Sequence, residues 1–275
     1  MRQELKQDER IRWFLGDVRD LERLKLALTG VDFVVHAAAL KQVDTAEYNP
    51  MEFVKTNVLG SQNLIEAAIH ACVKKVVALS TDKASSPINL YGATKLTADK
   101  LFIAGNIYGQ PRGTSFSVVR YGNVVKSRGS VVPYFQHLIA QGKPLEVTDE
   151  RMTRFWLNLD VAVDLVHYAL DDMSGGELYV PQIPSVRIVD LVKALEPDRP
   201  YVVTGIRPGE KLHEEMISVE EARRGQKRES VYVLYPATKV FSDEKSRFNL
   251  EDGFRYSSDT NTQWLSVDDI KKTID

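Results

Sequence analysis

Two short runs of the chain hold residue types whose spacing could move protons. Tyr91-Gly92-Ala93-Thr94-Lys95 sets a phenol and an ammonium four positions apart, on one face of a helix and one turn from each other. An ammonium beside a phenol favours the phenolate and lowers its pKa. Tyr91 could then take a proton from a hydroxyl, such as a sugar hydroxyl, near neutral pH. A few residues upstream stands Ser80-Thr81-Asp82-Lys83, where a hydroxyl, a carboxyl and an amine in succession can orient a substrate and supply an acid and a base. Each run has a plain reading when taken alone: Tyr-x3-Lys arises by chance in helices, and Asp-Lys is an ordinary solvated loop pair. Their combination is what points to chemistry.

The elements that would position them alternate short apolar strands with amphipathic helices. Strands are expected over Ile11–Leu15, Val31–Ala38, Lys75–Ser80 and Ser115–Arg120, and helices over Leu21–Leu28, Asn57 to about Ala71, and Gly92–Asn106. Val31–Ala38 and Lys75–Ser80 are nearly continuous apolar runs, the mark of a parallel sheet covered on both faces. Strands separated by helices of this length predict right-handed βαβ units and an α/β fold with a doubly wound parallel (Rossmann-like) sheet. Thr81-Asp82-Lys83 then sits at the carboxyl end of a parallel strand, where such sheets place their ligands. Beyond Val124 the rhythm loosens. Helices are expected at Pro133–Gln141, Asp160–Asp171 and Ile188–Leu195, with strands at Leu145–Val147, Phe155–Leu157 and Leu178–Val180. We divide the chain into a core over residues 1–124 and a smaller mixed lobe over 125–275, with part of the polar tail from Ser218 returning to the core.

Composition narrows the function classes. With 43% hydrophobic and 27% charged residues and a net charge of −2, the chain reads as an ordinary globular protein, with no broad basic surface for nucleic acid or anionic membrane. No apolar run approaches the ~18 residues of a membrane span. The start, Met1-Arg2-Gln3-Glu4-Leu5-Lys6, is too charged for a secretory signal, so a cytoplasmic protein is the expectation. The single cysteine, Cys72, permits no internal disulfide and no metal-ligand spacing, and reads as a small buried residue on a helix. No metal site is expected.

Two further strand ends matter. Gly16-Asp17-Val18 either holds an adenine edge through Asp17 or is a plain turn. His36-Ala37-Ala38-Ala39 offers small residues that let a cofactor approach the backbone, with His36 itself packed rather than catalytic. No Gly-rich strand-to-helix turn stands in the first 60 residues. A first unit of about 50 residues, which would hold a dinucleotide pyrophosphate, is therefore expected to be missing by comparison with a full fold of this type.

The order Gly16-Asp17-Val18, His36-Ala37-Ala38-Ala39, Ser80-Thr81-Asp82-Lys83, Tyr91-x3-Lys95 and Arg120-Tyr121-Gly122-Asn123-Val124 resembles the extended short-chain dehydrogenase/reductases. Within them it is most similar to the inverting UDP-N-acetylglucosamine 4,6-dehydratases of pseudaminic acid biosynthesis. Further matching stretches include Ala46–Glu52, Ser127–Pro133, Arg151–Trp156, Gly209–Glu214 and Tyr256–Asp259. Relatives acting on dTDP- or GDP-sugars usually carry Thr-Asp-Glu where this chain has Lys83. Retaining and capsule-type relatives commonly replace the tyrosine and often add membrane segments, whereas Tyr91 is intact. Ser86, where the family often has Asn, and Lys126, where a small residue is usual, are the departures.

The resemblance implies bound NADP, with NAD the alternative, and UDP-N-acetylglucosamine as substrate. It makes Thr81, Asp82, Lys83, Tyr91 and Lys95 catalytic, with Lys83 as base at C5 and Asp82 as acid at the 6-hydroxyl. A lysine base requires a lowered pKa, expected here from desolvation and a neighbouring positive charge. The implied cofactor contacts are Asp17, Val18, Ala37, Ala38, Ala39, Ser80, Tyr91, Lys95, Tyr121, Asn123 and Val124. The implied substrate contacts are Lys41, Thr81, Asn123, Arg128, Gly129, Ser130, Val131, Val132, Arg207 and Glu210. Lys41 is otherwise an exposed lysine, and Arg151 and Arg154 are either helpers or structural ion pairs. A homo-oligomer is expected. The alternatives are a nucleotide-sugar 4-epimerase sharing Tyr91 and Lys95, or an inactive remnant that binds UDP-sugar alone.

Overall fold

The main sheet is built round two seven-residue strands, β2 (Lys75–Thr81) and β3 (Ser115–Tyr121), flanked by the edge strand β1 (Phe33–His36). Our computed structural model describes residues 8–127, 129–237 and 247–274. The sheet continues past β3 with Leu178–Pro181, Val231–Leu234 and Gly225–Lys227, giving six strands. The first four run parallel and the last two antiparallel. Alternate side chains of one strand enter opposite layers. Val76, Ala78, Phe116 and Val118 pack with Leu64, Ile65 and Phe102 of the helices Gly60–His70 and Leu90–Gly109. Val77 and Val119 pack instead with Leu165 and Ala169 of the helix Leu159–Asp172. Burial on both faces is why these strands read as continuous apolar runs.

Register fixes where the functional ends meet. Ser80 pairs with Arg120 and Thr81 with Tyr121, so β2 and β3 finish level with each other at their carboxyl ends. Beyond Val124 a separate apolar cluster gathers the helices Val131–Ala140, Ile188–Leu195 and Val267–Ile274 with the strand Leu145–Val147. The strand Thr153–Leu157 carries this cluster back to the core by pairing with Asn123–Val124.

Four expectations are corrected. Ile11–Leu15 forms no strand: Trp13, Phe14 and Leu15 are exposed, the Leu15 carbonyl is bonded by the Arg23 guanidinium, and that group lies over the Phe14 ring. A strand exists only through a hydrogen-bonded neighbour, and among the described residues nothing pairs with this segment. The next strand is Phe33–His36 rather than Val31–Ala38. Cys72 is exposed, two residues past its helix and with φ +56°, because the chain leaves the helix through a left-handed residue. The tail holds a fully buried strand, Val231–Leu234, an apolar run too short and too isolated in a polar stretch to stand out. Ser86 and Lys126, the two departures from the family pattern, both have positive φ (+43° and +58°), a conformation that asparagine and glycine adopt more readily.

Candidate active site

The carboxyl ends of β1, β2 and β3 open onto a cleft of about 1230 Å³, more than the roughly 300–1,000 Å³ of a pocket for one small molecule. Ala37 and Ala39 line it from the end of β1, and Ser80, Thr81 and Lys83 from the end of β2. Tyr91 and Lys95 come from the helix Leu90–Gly109, and Tyr121, Asn123 and Val124 from the end of β3. The lobe beyond contributes Gly129, Ser130, Val131 and Val132, and Arg207 and Glu210 from a turn; Lys41 stands at the rim. The structure therefore brings together most of the residues singled out in the sequence. Asp82 is wholly buried beneath the cleft, Ala38 does not line it, and Arg128 lies outside the described residues. Asp17 and Val18 sit elsewhere. The Asp17 carboxylate pairs with Arg19 at 2.8 Å, and the Val18 carbonyl accepts from Asn63, which is the plain-turn arrangement.

Tyr91 and Lys95 owe their place to the helix start. Asn89 caps it by accepting from the Gly92 N–H at 2.7 Å, and its amide donates to the Gly209 carbonyl at 2.8 Å. Gly92 permits close contact with the catalytic turn, since a Cβ there would stand 2.2 Å from the Lys83 carbonyl oxygen. Lys95 donates to the Leu79 carbonyl at 2.8 Å, and burial holds its pKa below the usual lysine range. Burial pushes the Tyr91 phenol up to about 12, against the opposing pull of the Lys83 charge and a hydrogen bond with Thr81. The expected lowering of Tyr91 is thus not met, and Lys83 is the cation acting on it.

The Lys83 ammonium has three acceptors: Asp82 Oδ1 at 3.1 Å, Asn123 Oδ1 at 3.4 Å and Glu214 Oε1 at 3.3 Å. Burial alone would lower its pKa, but the charges of Asp82 and Glu214 outweigh that and raise it. The expectation of a lowered lysine pKa is corrected for the same reason. Asp82 Oδ1 also accepts from the Thr81 hydroxyl at 2.8 Å. Burial, aided by the Glu214 charge, holds the Asp82 carboxyl above the usual range. Among the described residues Asp82 Oδ2 and Glu214 Oε2 have no hydrogen-bond partner, a costly state for a buried carboxylate.

A supporting layer fixes these groups. Ser80 donates to Asp99 at 2.8 Å, and the buried Arg120 guanidinium bridges Asp99 and Glu221, tying β3 to the tail. Arg154 donates to the Thr153 and Leu212 carbonyls and pairs with Glu210 at 3.3 Å and Glu214 at 3.8 Å, so it is a structural ion pair. Arg151 likewise pairs with Asp149 at 2.7 Å. His36 is buried against Phe102 and held near pKa 4 by burial and then by Lys95, which makes it a packed neutral ring. Sequence reasoning assigned no part to Asn57, Asp99, Lys211 or Glu214. Asn57 sits buried in a π-helical turn, Val54–Leu59, and clamps both the N–H and the carbonyl of Leu40 at 2.9 Å. Only Glu214 and Lys211 carried any signal, as members of the Gly209–Glu214 stretch. Among the described residues no group of three His, Cys, Asp or Glu side chains could hold a metal ion, and no helix is long and apolar enough to cross a membrane.

Residues 1–236 match the sequence profile of the family described as polysaccharide biosynthesis protein. The chain belongs to this family. It is 52% identical over 271 residues to the UDP-N-acetylglucosamine 4,6-dehydratase (inverting) of Campylobacter jejuni subsp. jejuni serotype O:23/36, covering 94% of this chain and 81% of that one. It is 41% identical to the UDP-glucose 4-epimerase of Rickettsia conorii, covering 96% of this chain and 80% of the other. The dTDP-glucose 4,6-dehydratase DesIV of Streptomyces venezuelae, solved with NAD bound, superposes with a TM-score of 0.68 at 27% identity, over 76% of this chain and 72% of that one. The family member described here thus has an extended short-chain dehydrogenase/reductase fold. Tyr91, Lys95 and the Thr81-Asp82-Lys83 turn are held at the ends of parallel strands by the Asn89 cap and, from beyond Val124, by Gly209 and Glu214.

Proposed function

We propose that the chain dehydrates UDP-N-acetylglucosamine across C5 and C6 with inversion at C5, giving a UDP-4-keto-6-deoxy-L-sugar. The observation that carries this reading is the Lys83 ammonium held between two buried carboxylates beside Tyr91. A 4-epimerase needs the Tyr91 and Lys95 pair, whereas a dehydratase also needs an acid for the 6-hydroxyl and a base for C5. The 52% identity to an inverting dehydratase supports the same assignment.

The nicotinamide end of a dinucleotide fits the residues present. Ala37 and Ala39 leave the backbone open at the cleft, and Lys95 uses one of its three N–H groups on Leu79, leaving donors for a ribose. When bound, that dinucleotide, which we take as NADP, supplies a reversible hydride acceptor. Tyr91, as the phenolate that the Lys83 charge favours, removes the proton of the sugar 4-hydroxyl, and Thr81 orients that hydroxyl. Lys83 becomes an amine by passing a proton across the 3.1 Å contact to Asp82. One shift thus creates both the base for C5 and the acid that protonates the departing 6-hydroxyl. Arg207 and the Gly129–Val132 segment of the lobe over 125–275 take the UDP, the guanidinium of Arg207 suiting a diphosphate.

The product serves pseudaminic acid and hence flagellin or surface-glycan synthesis, in the cytoplasm, by a homo-oligomer. NMR of the product tests the reading: a 4-ketone with a C6 methyl supports dehydration. An intact 6-hydroxyl with inverted C4 would assign the epimerase that the Rickettsia relative favours. Lys83→Ala should abolish 4-keto product, and native turnover in that variant removes Lys83 from the mechanism.

A further inference from the structure

Two carboxylates touch the Lys83 ammonium, yet they stand in different surroundings. Asp82 belongs to the strand-end turn, is wholly buried, and has Lys83 as its cation. Glu214 arrives from the far lobe, is also buried, and lines the cleft. It has Lys83 at 3.3 Å and Arg154 at 3.8 Å, with the Lys211 charge close by. Its backbone is fixed independently, by the Ser258 hydroxyl accepting from the Glu214 N–H at 2.9 Å and by the Ser258 N–H donating to the Glu214 carbonyl at 2.8 Å.

We propose that Glu214 is a positioning residue of the dehydration site: it anchors Lys83 from the C-terminal lobe and, standing among more cations than Asp82 does, confines the mobile proton to Asp82. A proton shared among two carboxylates and one amine settles on the carboxylate with the fewest cations round it. Glu214 has Lys83 and Arg154 within 4 Å and Lys211 close by, whereas Asp82 has Lys83 alone in contact and feels Lys211 less strongly than Glu214 does. Burial works against the Glu214 charge, but Lys83, Arg154 and Lys211 together hold its pKa below the usual range, while Glu214 itself pushes Asp82 upward. The other charged or titratable groups facing the cluster are Tyr91 from the helix, Glu215 beside Lys211, and Glu210 against Arg154 at 3.3 Å. Without Glu214, Arg154 keeps Glu210 and Lys211 keeps Glu215, but Asp82 loses the like charge that favours its protonated form, so less of the proton rests there for the 6-hydroxyl.

This inference rests on the dehydratase reading for its consequence, though not for its test. The Asp82 carboxyl is followed by ¹³C NMR across pH in the native chain and in Glu214→Gln, with the signal assigned by its loss in Asp82→Asn. The native midpoint should lie above the ordinary aspartate range and fall by about one to two pH units in Glu214→Gln, the effect of deleting one like charge near a buried carboxyl. A native midpoint at or below about 4 overturns the proposal even if the variant fails to fold, and so does an unmoved midpoint in the folded variant. In turnover, Glu214→Gln should shift the alkaline limb of the kcat profile to lower pH with KM for the nucleotide sugar within about threefold of native. An unchanged profile with normal product refutes the Glu214 role alone. An epimerised product refutes the dehydratase reading and leaves the titration to judge Glu214.

Discussion

Gly92→Ala is the sharpest test of how the two proton-moving segments are held together. The added Cβ would lie 2.2 Å from the Lys83 carbonyl oxygen and 3.1 Å from the Pro87 Cβ. Carbon–oxygen contacts settle near roughly 3.3 Å, so the helix start and the Lys83 turn must part by about 1.1 Å. The obstacle is backbone and cannot swing aside. Tyr91 is the adjacent residue, and the Asn89 cap on Gly92 carries the same displacement. Overpacking of this kind costs about 1–3 kcal/mol, partly offset by the roughly 0.5–1 kcal/mol that alanine gains over glycine within a helix. Unfolding in urea should therefore show a loss of only about 1–2 kcal/mol. Activity should suffer far more, because a misplacement of about 1 Å between reacting groups lowers the rate by around 100-fold. The assay is kcat for 4-keto product by NMR, beside the same measurement on Gly105→Ala. That glycine lies on the same helix, where a Cβ would meet Ile65 and Phe116 at 3.2 and 3.3 Å, away from the cleft. A kcat for Gly92→Ala within about threefold of native, or no lower than that of Gly105→Ala, would show that the close approach does not set the site.

Three further outcomes follow from the supporting layer. Arg120→Met leaves Asp99 and Glu221 buried without their cation and should lower stability by about 3–5 kcal/mol in urea titrations; adding Asp99→Asn should restore part of it, and a single-variant loss below about 1 kcal/mol would be inconsistent with a paired core charge. His36 has a folded pKa of about 4 against roughly 6.5 unfolded. The unfolded chain therefore binds more protons between those values, and native stability should fall as pH drops from about 6.5 to 4 by around 3 kcal/mol. His36→Phe, packed on Phe102, should remove that share of the acid sensitivity, and an identical pH–stability slope in both proteins would show that His36 does not titrate there. Finally, Lys83→Met should bring the Asp82 carboxyl up further by removing the cation in contact with it, readable in the same carboxyl titration as a higher midpoint, with a lower one refuting the pairing.

Much of the site was legible because it is local. Thr81-Asp82-Lys83 follows an apolar strand directly, and Tyr91 and Lys95 are one helical turn apart, so chain order alone places them near a strand end. What was not legible is long-range. Glu214 is 131 positions from Lys83, and nothing in its neighbours' spacing announces which side chain of the far lobe enters the cluster. The protonation states failed for the same reason: a lysine read with Lys95 as its neighbour looks depressed, and the same lysine between Asp82 and Glu214 is raised. In the fold, helices with strong periodicity such as Ile188–Leu195 matched their expected bounds. Ile11–Leu15 did not, since a short apolar run says nothing about a pairing partner. Val231–Leu234 escaped notice because its four apolar residues stand alone in a polar tail, with no strand–helix rhythm around them.

The π-helical turn at Val54–Leu59 adds one residue to an otherwise regular helix and so resets its rotational phase by about 100°. Upstream of that turn the buried face presents Phe53, and downstream it presents Leu64, Ile65 and Ala68; Asn57 is turned inward only within it, where its amide reaches Leu40 and Thr94. Deleting any single residue of the turn would leave an unbroken α-helix of nearly unchanged helix content. The clamp on Leu40, next to Ala39 and Lys41 of the cleft lining, would nevertheless rotate out of reach. Length, more than residue identity, is what this stretch holds constant, and gaps in it should be far less tolerated than substitutions at its exposed positions.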